Sequence, residues 1–136
     1  MKSLQNPTAI DCDALAERED LIKVFRKHKV RFAYLFGSQL TEYVNRESDV
    51  DIAVMLPISG TASKRFDIKL ELMQDLESIF KNRVDIVVIN DTKSLFFKYT
   101  IFREGKTIYS VDEEARVEFE AYTSGLYFDL APFLDA

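Results

Sequence analysis

Asp49 and Asp51 stand on either side of Val50 at the head of an apolar run that ends at Leu56, and this alternation narrows what the chain can fold into. Residues two apart on a strand leave the same face, so both carboxylates share one side while Val50, Ile52 and Val54 take the other. The apolar side is the natural core side. A later run, Arg83 to Ile89, repeats the arrangement, with Asp85 set against Val84, Ile86 and Val88. If the two strands are neighbours, three carboxylates converge on one patch. At about 6 Å and an effective dielectric of about 20, each pair repels by about 3 kcal/mol. Three such pairs approach the whole stability of a small domain, about 5–15 kcal/mol. Protonation relieves part of that repulsion, and divalent cations relieve it better. Hard oxygen ligands suit magnesium or manganese, which keep positions open for phosphate oxygens.

Ahead of the aspartates, Val30 to Phe36 reads as a strand that ends at Gly37-Ser38, with ten residues between Ser38 and Asp49. Gln39 to Val44 reads as a short helix and Asn45 to Ser48 as a turn. A strand ending in glycine before a helix start presents backbone N–H groups and a hydroxyl to anionic oxygens. Two ions about 3.5–4 Å apart can activate an attacking hydroxyl and neutralise a leaving pyrophosphate. Phosphoryl chemistry asks for little beyond such positioning and charge neutralisation. The plainer alternative is a glycine turn followed by two solvated aspartates on an edge strand. Gly-Ser-x10-Asp-x-Asp arises by chance in on the order of one chain in a few hundred, and a third aspartate on a later strand lowers that further.

The remaining elements alternate. Apolar spacing predicts an amphipathic helix over about 13–28, a second helix from Lys64 to Phe80 after the Pro57 and Ser59-Gly60 loop, and a third from Lys93 to Arg103. Lys106 to Ser110 reads as a strand, and about 113–130 as a final helix closed by Pro132. The fold class is α+β: one domain over 1–136 with a small mixed sheet flanked by helices. The net charge is −5 and the basic residues are scattered, which argues against a stable grip on long nucleic acid. Cys12 is the one cysteine, Met1 to Asp11 holds no apolar run, and no stretch nears the ~20 apolar residues of a membrane span. A cytoplasmic protein without membrane attachment is the expectation.

The signature Gly37-Ser38-x10-Asp49-Val50-Asp51 resembles that of the DNA polymerase β-like nucleotidyltransferase superfamily, and Arg83-Val84-Asp85-Ile86-Val87 looks like its strand bearing the third carboxylate. Residues 102–109 and 116–120 resemble minimal nucleotidyltransferases of the MNT antitoxin type, so the likeness runs from about Val30 to the end. That resemblance implies a polymerase β-like fold and transfer of AMP from ATP to a tyrosine hydroxyl of a HEPN-domain RNase toxin, which the modification neutralises. It implies two magnesium ions (or manganese) bound by Asp49 and Asp51, with Asp85 joining the catalytic ion and helping to deprotonate the acceptor. Gly37 and Ser38 would hold the triphosphate. Two other readings stay open: a small-molecule acceptor such as an aminoglycoside, or a non-catalytic antitoxin that acts by binding alone.

Other residues are assigned more modestly. Lys64 and Arg65, at a helix start, are candidate phosphate contacts, with a solvated helix end as the alternative. Arg83 is either a nucleotide contact or a surface cation beside the acidic cluster. His28 reads as solvated among charges, and Cys12 as an incidental thiol. Phe96, Phe97, Tyr99, Phe102, Phe119, Tyr122, Tyr127, Phe128 and Phe133 read mainly as core. The final helix and its tail to Phe133 are the candidate partner surface.

Overall fold

A computed structural model describes residues 12–37 and 49–134. Helices α1 (Cys12–Ala16) and α2 (Glu19–Lys27) lead into β1 (Phe32–Phe36). There follow β2 (Val50–Met55), α3 (Ala62–Phe80), β3 (Val84–Val88), a 3-10 turn (Ile89–Asp91), α4 (Leu95–Glu104), β4 (Lys106–Ser110) and α5 (Glu113–Leu134). The sheet order is β3-β2-β1-β4. β1 pairs antiparallel with both β2 and β4, while β2 and β3 run parallel. The expected mixed sheet with flanking helices is what forms. The short helix expected at 39–44 and the turn at 45–48 lie outside the described residues.

Period-two alternation divides the sheet residues between two cores. Ala33, Leu35, Val50, Ile52, Val54, Val84 and Ile86 bury one face against Leu21 and Phe25 of α2 and Leu72 and Leu76 of α3. Phe32, Tyr34 and Ala53 bury the other against Ile101 of α4, with Phe102 of α4 and Phe119 of α5 partly covered. Caps set where the helices begin. Thr61 Oγ1 accepts from the Lys64 N–H at 3.1 Å, Ser94 Oγ from Phe97 at 3.1 Å and Asp112 Oδ1 from Ala115 at 3.1 Å.

Several expectations need correction. Of the aromatics read mainly as core, Phe96, Tyr122, Phe128 and Phe133 are exposed and the other five are only partly covered. The single N-terminal helix is two, because Arg18 takes an extended conformation between α1 and α2. On one straight helix Leu15 would point about 120° away from Leu21, at about 100° per residue. The break lets Leu15, Leu21 and Phe25 all enter the same core. His28 is not solvated: it is buried, with Nε2 at 2.9 Å from Asp75 Oδ2 and Nδ1 at 3.9 Å from Glu71 Oε1, both on α3. Lys27 Nζ adds a 3.3 Å contact to Asp75, so the end of α2 is clamped to α3. Finally, Pro132 lies inside α5, which continues to Leu134. A proline this close to the end removes a single hydrogen bond, to the carbonyl of the exposed Phe128.

Candidate active site

The parallel pairing of β2 with β3 sets Asp51 directly across from Asp85. Adjacent strands lie about 4.8 Å apart, so the two carboxylates are neighbours by register rather than by any flexing of side chains. Asp49, one pleat earlier on the same face, completes the group. Asp85 is exposed and Asp51 partly buried, while their flanking valines and isoleucines fill the opposite core. The Asp51 carboxyl is held above the usual carboxylate range, first by burial, then by the charge of Asp85, then by that of Asp49. The two neighbouring carboxylates thus add to a shift that burial begins. Phe36, in register with Asp51, packs edge-on against Phe97 of α4 at 5.9 Å and forms an apolar wall beside it.

Gly37 has φ +85°, a region that L side chains rarely adopt. A Cβ there would collide with Asp51 Oδ2 and lie 3.0 Å from Cγ. The Asp51 carboxylate therefore occupies the space that a side chain at 37 would need. Ser38 lies outside the described residues, so of the Gly-Ser pair only Gly37 is seen, against Asp51.

Lys64 and Arg65 are not brought to this cluster. They open α3, beyond the far end of β2, and the strand from Asp51 to Leu56 spans about 16 Å. The Arg65 guanidinium is bidentate on Asp91, at 2.9 and 2.7 Å, and also donates to the Gly60 carbonyl at 2.8 Å. This pair holds the Asp91 carboxyl below its ordinary range and latches the turn before α3 to the end of β3. By contrast, Arg83 Nε lies 3.9 Å from Asp49 Oδ1, at the cluster itself. Sequence reasoning also missed a network that ties α5 to the sheet. The buried Tyr34 hydroxyl donates to Glu120 Oε2 at 2.6 Å, and Arg116 bridges Glu120 and Glu113 at 2.8 and 2.6 Å. Burial, then Glu120, pushes the Tyr34 hydroxyl pKa far up, so it stays a donor. The i, i+4 spacing of Arg116 and Glu120 was the available signal. A groove of about 710 Å³ between Phe32, Met55 and Phe119–Tyr122 contains none of the aspartates. It lies at the other end of the sheet, so its size says nothing about the chemistry at Asp51.

The model of the polymerase beta nucleotidyltransferase family matches residues 19–114, more than half of the chain. The chain belongs to the polymerase β nucleotidyltransferase family. Among solved structures, a chain of a toxin–antitoxin crystal structure with AMP-PNP superposes with a TM-score of 0.64 at 25% identity, covering 85% of this chain and 94% of that one. A chain of the complex between tri-AMPylated Shewanella oneidensis HEPN toxin and MNT antitoxin gives 0.62 at 22% identity, covering 92% and 97%. One from the MntA-HepT toxin–antitoxin gives 0.61 at 22%, covering 90% and 96%. The latter two speak to the fold alone. No curated protein sequence matches.

Nucleotidyltransferases of this family imply divalent cations. Among the described residues no group of three or more His, Cys, Asp or Glu side chains is placed so as to hold a metal ion. The donor chemistry nevertheless fits. All three groups are hard carboxylates on one open face, and the raised Asp51 pKa marks a place where added positive charge would be stabilising.

Proposed function

We propose that this nucleotidyltransferase is an antitoxin that moves AMP from ATP onto a tyrosine hydroxyl of a cognate HEPN-domain RNase toxin and thereby silences it. The observation that carries the reading is Asp51 in register with Asp85, beside Asp49 and the side-chain-free surface of Gly37. It sits in a fold shared over most of its length with a chain crystallised in a toxin–antitoxin with AMP-PNP. In the transfer, the acceptor oxygen bonds to the α-phosphorus of ATP, the bond from that phosphorus to the bridging oxygen breaks, and pyrophosphate departs. The acceptor proton passes toward the exposed Asp85 carboxylate. Asp49 and Asp51, joined by Asp85, would hold the divalent cations. Two magnesium ions, or manganese, supply neutralisation of the departing pyrophosphate when bound there. Gly37 leaves room for Asp51, and its backbone together with Ser38 receives phosphate oxygens.

The partner surface fits the same reading. α5 leaves Tyr122 71%, Phe128 63% and Phe133 75% exposed, and Phe96 of α4 packs near Tyr127. Apolar area of this kind is what a protein acceptor would cover. No helix among the described residues is long and apolar enough to cross a membrane. A reducing, cytoplasmic setting agrees with the one cysteine.

The test mixes purified protein, α-labelled ATP and the HEPN toxin encoded alongside, with magnesium or manganese. Label should appear on the toxin, RNase activity should fall, and Asp49→Asn with Asp51→Asn should abolish both effects. An unlabelled toxin with wild-type protein in both metals refutes the proposal. Neutralisation that survives the double substitution would instead assign silencing to binding alone.

A further inference from the structure

Arg83 occupies the fourth corner of the acidic patch. The Val50 N–H donates to the Arg83 carbonyl at 2.9 Å, one step before the Val50–Val84 register pair. Arg83 therefore stands across from Asp49 as Asp85 stands across from Asp51. Side chains two apart on a strand share a face, so Arg83 and Asp85 emerge on the same side as Asp49 and Asp51. Three corners are negative and one is positive.

The guanidinium is not locked there. Its Nε lies 3.9 Å from Asp49 Oδ1, inside ion-pair range but beyond hydrogen-bond length, and the side chain is 81% exposed. A long, exposed, permanently charged group with a planar fork of donors can leave one anion for a better one at little cost. A triphosphate arriving at this patch would be the better anion.

Resting on the reading of the aspartates as cation ligands, we propose that Arg83 is a positioning residue with two stations. Before substrate arrives it neutralises Asp49 and competes with the divalent cation for that carboxylate. When the nucleotide and its cations are in place, Asp49 is taken up by metal and Arg83 turns onto the triphosphate. Cation loading and nucleotide binding are thereby coupled through one side chain. A merely structural surface arginine would do neither.

The two stations predict shifts of opposite sign, read by titration calorimetry on the full chain. With manganese chloride alone, Arg83→Gln should bind the ion about two- to fivefold more tightly than wild type, the range for losing an exposed ion pair. With α,β-methylene-ATP in saturating manganese, the same variant should bind the nucleotide about tenfold more weakly, as for loss of a charge-assisted contact. Arg83→Lys should return the ion affinity to wild type and restore nucleotide affinity only in part, because a point charge replaces the fork. Any result in Arg83→Gln other than opposite shifts overturns the proposal. If wild type binds manganese and Asp51→Asn does not, while Arg83→Gln matches wild type, only the role of Arg83 fails. If wild type binds neither probe, the reading of the aspartates fails with it.

Discussion

Replacing Gly37 with alanine should damage the site through a contact that can be isolated. Two effects add. An L residue at φ +85° incurs about 1–2 kcal/mol of backbone strain. The new Cβ would also overlap the Asp51 carboxylate and press on Cγ at 3.0 Å, so Asp51 must leave its rotamer for about another 1 kcal/mol. The expected loss is therefore about 2–3 kcal/mol, measured by urea denaturation followed by circular dichroism. AMP transfer should fall further in proportion, by about a hundredfold, since a displacement near 1 Å at a reacting centre has that effect. The two contributions separate in a double-mutant cycle with Asp51→Ala. Removing the carboxylate leaves only the 3.2 Å approach to the Asp51 Cβ, so Gly37→Ala in that background should cost little more than the strain. An equal loss in both backgrounds would refute the collision.

Two further expectations concern pH. The Asp51 carboxyl titrates higher folded than unfolded, so its ionised form burdens the folded state; the burden is absent below the unfolded value of 3.8 and complete above the raised folded value. In chelator, Asp51→Asn should thus be more stable than wild type at pH 7, and a urea series should show that advantage shrinking toward pH 4; an advantage independent of pH contradicts it. Asp75 has the opposite sign. The hydrogen bond from His28, then Lys27, lowers its folded value below 3.8, so it contributes stability at neutral pH that is lost as pH falls through the lowered value. Asp75→Asn should cost about 1–2 kcal/mol at pH 7 and progressively less in acid, and thermal melts across that range check it.

The features legible in the sequence were those with a local period. Asp49-Val50-Asp51 and Val84-Asp85-Ile86 each encode their two faces within three residues, so the shared side of the carboxylates and the opposite core followed before any pairing was known. The break at Arg18 was hidden because a helical repeat reads straight through it, and only the direction of the core requires the turn. His28 was misplaced for a related reason: its partner Asp75 is 47 residues away on α3, and nothing near His28 announces burial. Arg65 looked available for phosphate because Asp91 reaches it only after β3 has returned alongside β2. Arg83 had the same i, i+2 relation to Asp85 that was used for Asp49 and Asp51, and its placement at the fourth corner was within reach of the same reasoning.

The latch between Arg65 and Asp91 sits where β2 and β3 finish, whereas the facing aspartates sit where those strands start. The connection from Met55 into α3 can thus be lengthened or rebuilt without changing how Asp51 meets Asp85, because ladder pairing, not the intervening turn, sets their separation. Inserting a reporter peptide between Ile58 and Gly60 should leave chemistry intact. The same insertion between Val84 and Asp85, inside the ladder, would shift one carboxylate against the other and abolish transfer.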